Sequence, residues 1–382
     1  MANRSAPIVI VGAGATGIAC ALTAAAQGEE VVLLESSPEI GGTVAHSLIH
    51  TLGGLFDDQG EIINPGITEE LIERLIAFCP ETAKRRIGKT WTLSVDPAVY
   101  LAVVKQWLVE QPRIQVHRQV TITEVSTEER RVDLVHFHAA GIERSLRPSV
   151  LIDASGQAAV VRRLSSTHLT EGAALAGWIV QLRGVAPHAL DFPNGVALLH
   201  TIRTAVKAGT LPTECGSIWL DRGVMTDEAY VKFNLDPQRF DLSHMTSVMH
   251  QLLAYLQALP SFAGASIQAV GQLGIRDGGR IEGEYVLTEA DVREGRCFAD
   301  AVCHGCWPIE YWHPQNGVSL HYFPPGHRYQ IPKRALTVRG YSHLYVVGKC
   351  FSAEPMALAS ARVAGTCWAM GEGLLNQLLG ES

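Results

Sequence analysis

The sequence predicts an α/β fold in two parts: a parallel-sheet unit built from both ends of the chain, and an α+β unit inserted between them. Three observations point there. The chain opens with a β-branched run, a glycine-rich turn and an alanine-rich segment, all within Ile8 to Gln27. Its periodicities change between Ala173 and Leu273, where short strand-like runs precede one long amphipathic stretch. A chain of 382 residues also exceeds what one hydrophobic core usually organises, so two units sharing a cleft are expected.

Ile8 to Val11 is an apolar run of the kind that forms a buried strand, and Ile18 to Gln27 reads as a helix. Gly12, Gly14 and Gly17 fall in the turn between them and in the first helical turn. Gly12 can take the dihedrals of a sharp turn, Gly14 leaves room for a pyrophosphate against the main chain, and Gly17 lets helix and strand pack closely. The helix N-terminus at Ala15 and Thr16 offers unpaired N–H groups and about half a positive charge, where a diphosphate is best held. Val31 to Leu34 is a second strand, and Glu35 at its end lies 18 residues after Gly17. A carboxylate there accepts hydrogen bonds from both ribose hydroxyls of an adenosine and repels a 2′-phosphate. The expected ligand is a dinucleotide without that phosphate, which leaves FAD and NAD to be separated.

The next stretch, "SSPEIGGTVAHS", begins at Ser36 and carries Gly41-Gly42 ahead of Thr43, suiting a second close approach of backbone to phosphate. Together with the first motif it resembles the long N-terminal signature of FAD proteins of the glutathione reductase-like superfamily. "VLIDASGQAAV", with Gly156, resembles the segment that returns the chain to the cofactor unit. His343 to Leu375 resembles the closing segment, in which a strand ends at Gly348 and a helix points its N-terminus at the flavin ring. "RDGGRIEGEYVLTEADV", "WPIE", "YQIPKRAL" and "ALASARVAGTC" resemble the C-terminal half of the FAD-dependent oxidoreductase family. The resemblance implies a Rossmann-like FAD-binding domain, glutathione reductase-like, with an inserted α+β substrate domain. It implies FAD contacts at the positions named above, with Arg362 beside the ring and the backbone near Val120 pairing with adenine. Lys333 stands where a tyrosine is expected in "IPKR", and Trp312 where a histidine often follows "WPI", with His313 one residue on. The family's name fixes no substrate.

Along the chain, residues 1–165 are assigned to the first part of the FAD-binding domain, 166–275 to the substrate domain, and 276–382 to the flavin-facing segment and the return. Ile67 to Cys79 and Asp96 to Gln111 carry helical periodicity, the latter with Asp96-Pro97 as cap and first-turn pair. Ile114 to Gly156 alternates like a small antiparallel meander. In the inserted unit "GWIVQLRGV", "GVALLHTI", "GSIWLDRG" and "AYVKFNL" read as strands, and Leu242 to Leu259 as an amphipathic helix. No second GxGxxG follows a strand, so electrons must come from, or go to, something that visits the cleft.

Composition narrows the function classes. Hydrophobic residues at 47% and charged residues at 18% suit a well-buried enzyme rather than a disordered or fibrous chain. A formal charge of −7 without a basic stripe argues against nucleic acid, and Lys84 to Arg86 reads as a solvated helix end. No apolar run reaches the roughly 18 to 20 residues of a membrane span, and "MANRSAP" does not read as a signal peptide. The cytoplasm is the expected location. Eight dispersed cysteines suggest reduced thiols, and the single Cys303-x-x-Cys306 pair lacks the second knuckle of a structural zinc, so no metal is assigned.

For chemistry, Cys303 to Gln330 is unusually aromatic and is expected to form a loop layer over the flavin. Arg334 and Arg362 are the cations expected near the ring, where positive charge stabilises electron density growing at the N1–C2 carbonyl edge. His313 and His321 are the candidate proton acceptors. Gly53-Gly54 would let the chain run flat along the isoalloxazine, and His46 and His50 are open to covalent flavin attachment. The expected activity is hydride transfer from a small or medium alcohol or amine to flavin N5, with re-oxidation by O2 or an external acceptor. A flavin monooxygenase, a double-bond reductase and a non-catalytic flavin-binding interaction protein are the alternatives. Oligomeric state stays open.

Overall fold

The structure, a computed structural model, describes residues 6–164 and 169–380. The expected junction between residues 165 and 166 lies outside the described residues. Five parallel strands form the central sheet, in the order Leu344–Val346, Val150–Asp153, Ile8–Val11, Val31–Leu34 and Ile114–His117. Ile8–Val11 and Val31–Leu34 are apolar at every position because both faces of the sheet are covered there. Ile8, Ile10 and Leu33 pack with the helices Ala15–Ala26 and Ala364–Gly380, while Val9, Val11, Val32 and Leu34 pack with Val135 and Phe137. The chain's two ends therefore meet in one core.

The alternating stretch after residue 113 divides differently from the expected meander. Ile114–His117 joins the parallel sheet beside Val31–Leu34, and Val150–Asp153 joins it on the other side. Only Thr121–Glu128, Arg131–Ala139 and Ile142–Leu146 are antiparallel. Four-residue strands give too short a pattern to reveal their partner direction. Both expected helices form, Ile67–Phe78 and Pro97–Val109, and the Asp96 side chain accepts from Ala98 N–H at 2.7 Å.

A second sheet carries Trp219–Arg222, Ala229–Leu235, Ala176–Arg183 and Ser266–Val270, in that order, all antiparallel. One face of it packs Trp178, Val180, Leu182, Val231 and Phe233 against two helices, Asn194–Lys207 and Leu242–Gln257. The first of these helices corrects the strand expected at "GVALLHTI". Its buried residues, Leu198, Ile202 and Ala205, recur at helical spacing, a pattern cut short when only 195–202 is read.

Two further expectations change. The aromatic stretch from Cys303 is built of strands: Ala301–Gly305 pairs with Tyr329–Pro332, and Ile309–His313 forms a hairpin with Gly317–His321. Lys84 to Arg86 lies in the strand Ala83–Ile87, paired with Thr90–Ser94. Among the described residues no helix is long and apolar enough to cross a membrane.

Candidate active site

The glycine motifs build a cradle walled by backbone. Gly12 has φ +105°, and a Cβ there would lie 2.5 Å from Ala154 O; a Cβ on Gly17 would lie 1.8 Å from Gly12 O. These two glycines are required by packing. Gly14 differs, because a Cβ there would meet only Gly42 Cα, at 3.8 Å. Gly41 N–H donates to Ala13 O at 2.8 Å and so draws the second motif against the first. Gly14 is the N-cap of Ala15–Ala26 and brings no side chain to the first N–H groups, which stay available to a ligand. Thr16 is buried in that turn, and a Cβ on Gly348 would approach its Oγ1 to 3.0 Å, so the closing segment reaches the same turn. Ser36 and Thr43 are exposed.

Glu35 is buried, and its two oxygens accept from Ala13 N–H and Ser37 N–H, both at 2.7 Å. Ionised, it keeps further lone pairs for ribose hydroxyls. Val120 N–H donates to Glu35 O at 2.9 Å, which fixes Val120 beside Glu35 but commits its N–H. Gly156 sits over Lys349, whose Nζ donates to Ile275 O at 2.7 Å. Below Gly156, Asp153 accepts from Ser155 N–H, Ser155 Oγ and Val160 N–H and holds the turn. An open glycine facing a helix N-terminus, with a buried carboxylate one strand away, fits the pyrophosphate and ribose of FAD.

A polar layer lies between the second sheet and the rest of the chain. Along Ala229–Leu235, residues Ala229, Val231 and Phe233 enter the core, so Tyr230, Lys232 and Asn234 face the other way. Across the sheet, Asp221 and Gln181 flank Tyr230. His50 stacks on Tyr230 with ring centroids 3.7 Å apart, and its Nε2 lies 3.3 Å from Asp221 Oδ2. Arg85 donates to both Asp221 oxygens, at 2.9 and 2.8 Å. Burial alone would raise the Asp221 carboxyl, yet His50, Lys232 and Arg85 hold it below the ordinary range.

The other side of this layer comes from the hairpin. Glu310 accepts from two indoles, Trp307 Nε1 at 3.2 Å and Trp312 Nε1 at 2.9 Å. The Arg276 guanidinium lies 4.5 Å from the Trp312 ring centroid and donates to Leu175 O and Asn234 Oδ1, at 2.7 and 2.8 Å. Arg362 donates to Glu310 O at 3.4 Å. Burial pushes Arg276 down to about 9, with the charge of Arg362 acting in the same sense. Burial also lowers Lys232 and Arg362, against the pull of nearby carboxylates. Yet Lys232, Arg276, Glu310, Trp312 and Arg362 all keep partial exposure. These charged groups keep accessible area where the second sheet and the hairpin face each other, a polar seam here termed the hollow.

The remaining sequence candidates sit elsewhere. Arg334 has its side chain 49% exposed and is paired to Asp300 at 3.0 Å, away from this hollow. His313 Nδ1 accepts from Gln315 N–H and Asn316 N–H and so closes the hairpin turn, and His321 lies on the exposed outer strand. Gly53 is pressed against the Trp307 ring, and Gly54 against Val363 and Thr366 at the start of the last helix. His46 Nε2 lies 3.0 Å from Glu39 O. Cys303 is buried and Cys306 partly so, all eight cysteines are free, and burial pushes the Cys306 thiol up to about 12. Among the described residues no group of three or more His, Cys, Asp or Glu side chains is arranged to hold a metal ion. Lys232, Arg276, Glu310 and Asp221 were not singled out from sequence. The strict alternation of "AYVKFNL" was the available signal for Lys232, but its polar face would ordinarily be assigned to solvent.

His50 carries a pH prediction. Burial pushes its imidazole down to about 4, and the Lys232 charge acts in the same direction. Between that value and the ordinary 6.5 the unfolded chain binds more protons than the folded one, so stability rises with pH through this window. Acidification from pH 7 to 4 should cost up to about 3 kcal/mol through this group. Denaturant melts across that range should flatten in His50→Phe, and equal slopes in both proteins would show that His50 is not held neutral.

The sequence model of the FAD dependent oxidoreductase family matches residues 7–374. Among solved structures, a geranylgeranyl bacteriochlorophyll reductase-like protein from Thermoplasma acidophilum aligns with a TM-score of 0.51 at 12% identity, covering 98% of this chain and 79% of that one. p-Nitrophenol 4-monooxygenase from Pseudomonas putida DLL-E4 aligns at 0.50 and 12% identity, covering 99% and 81%. Anhydrotetracycline hydroxylase from Streptomyces rimosus aligns at 0.52 and 14% identity, covering 98% and 62%. No curated protein matches the sequence. At these identities the structural likeness shows the fold, a Rossmann-like FAD-binding one. The family match adds the cofactor, FAD, and with residues 7–374 inside it the chain belongs to the FAD dependent oxidoreductase family.

Proposed function

We propose that the chain oxidises a small or medium-sized alcohol or amine, which enters the hollow between the second sheet and the Trp307–His313 segment. FAD, when bound, supplies the two-electron acceptor, through N5 of its ring. The observation that carries the reading is Glu310, a carboxylate gripped by two indole N–H groups beside Arg362. It is placed to take the O–H or N–H proton that the substrate gives up, a role the sequence suggested for His313 or His321. Trp307 and Trp312 orient that carboxylate, and the enclosing sheet keeps water scarce around it. Arg362 is assigned to the pyrimidine edge of the ring, where it would stabilise added electron density. Gly12, Gly14, Ala15, Thr16 and Gly17, with Gly41, Gly42 and Glu35, are assigned to the pyrophosphate and ribose. Re-oxidation by O2 or an external acceptor completes the cycle.

A second reading, a flavin monooxygenase or a reductase of activated double bonds, is favoured by the hydroxylase, monooxygenase and reductase-like proteins that share the fold. Rapid mixing without oxygen separates the two. Under the leading reading an alcohol or amine bleaches the flavin with no nicotinamide present. Bleaching by NADH or NADPH alone, with no organic donor effective, would transfer the assignment to the second reading. A yellow protein that no donor reduces, held in a stable complex, would be a flavin-binding interaction protein instead.

A further inference from the structure

The charges around the hollow do not balance. Arg85, Lys232, Arg276 and Arg362 meet there; the carboxylates of Asp221 and Glu310 lie within reach of them, and Asp277, which acts on Arg362, is already paired to Arg280. Arg85 occupies both oxygens of Asp221, and the two indoles hold Glu310. Among the described residues Lys232 Nζ has no hydrogen-bond or ion-pair partner. The bonds of Arg276 go to neutral oxygens, Leu175 O and Asn234 Oδ1, while Trp312 fixes its plane. Of the five N–H groups of a guanidinium, two are so engaged.

Keeping an ammonium inside protein with no direct hydrogen-bonded partner costs several kcal/mol, which carboxylates at a distance offset only in part. An apolar residue would fit the strand at Lys232 without that cost, since its cross-strand neighbours are Ile179 and Trp219. Lys232 and Asn234 both face the hollow, and Asn234 holds Arg276, so two cations converge from adjacent positions of one strand face. A point charge beside a planar, partly free guanidinium is a pairing that suits a carboxylate.

Resting on the proposed oxidation of an alcohol or amine, we propose that its substrate also bears a carboxylate, bound by Lys232 and Arg276 while the oxidisable carbon lies toward Glu310 and Arg362. The anion balances the hollow and orients the substrate. A neutral alcohol or amine of the same shape would leave Lys232 unpaired.

The test uses the FAD-loaded full chain and reads binding, through perturbation of the flavin spectrum. Benzoate, phenylacetate, butyrate and glutarate are titrated against their amides. At least one acid should bind about tenfold or more tighter than its amide, as a charge-assisted bond requires. Lys232→Met should lose about that factor for the acid, keep its FAD, and fold at least as well as the parent because a buried charge has been removed. Lys232→Arg should retain most of the preference. Amides that match acids, failure of every acid to bind at millimolar concentration, or unchanged acid binding in Lys232→Met would each overturn the proposal. Loss of FAD from Lys232→Met would also overturn it, by giving the cation to the cofactor. The discrimination between acid and amide by the parent protein stands without the variants. Turnover is not needed, so a chain that binds these acids but is reduced by no alcohol or amine refutes the oxidation and leaves the anion site intact.

Discussion

A Gly14→Asp protein should fold and be colourless. A Cβ at position 14 meets nothing closer than Gly42 Cα at 3.8 Å, so the fold can accept it. The added carboxylate then enters the cradle at the N-terminus of Ala15–Ala26, against the negative pyrophosphate and on the N–H groups that should hold it. Two like charges at that range should weaken FAD by on the order of a hundredfold or more. Far-ultraviolet dichroism and FAD content together check this. Gly17→Ala provides the contrast, because its Cβ would sit 1.8 Å from Gly12 O and should disturb the fold itself. Full FAD occupancy in a folded Gly14→Asp protein would remove these glycines from the cofactor.

Arg362→Met should make the flavin harder to reduce and slow turnover by on the order of a hundredfold, the loss expected when a preorganised charge is taken from a developing anion. Arg362→Lys should recover part of both. Equilibration with redox dyes gives the first quantity, and the second follows from reduction by substrate. Trp312→Phe should leave the potential alone while impairing substrate binding or turnover, because it loses only the indole N–H to Glu310. An unchanged potential in Arg362→Met would mean that this cation serves the substrate rather than the ring.

The glycine cradle and the buried Glu35 were legible because mostly local chemistry determines them. Gly17 answers to Gly12 O within the same motif and Gly41 to Ala13 O in the motif before it, and Glu35 sits where its strand stops; Gly12, held against Ala154, answers to a distant segment. The hollow was much less legible, because it is made by distant segments meeting. Arg85 reaches Asp221 across 136 residues and Arg276 reaches Asn234 across 42, pairings that no periodicity announces. His313 looked reactive in sequence because it lay in an aromatic stretch, yet the hairpin turn uses its ring as an acceptor for two backbone amides. Glu310 sat in "WPIE" as one residue of a family block, and its role emerges only when Trp307 and Trp312 fold onto it.

The most direct test is the position of flavin N5 in a crystal structure of the FAD-bound chain. N5 should lie within about two side-chain lengths, ~12 Å, of the Glu310 carboxylate and the Trp312 ring, so that a small substrate can bridge them. A ring farther away than that, with Arg362 and Lys232 turned from it, would place the chemistry outside this hollow and contradict the proposed oxidation site.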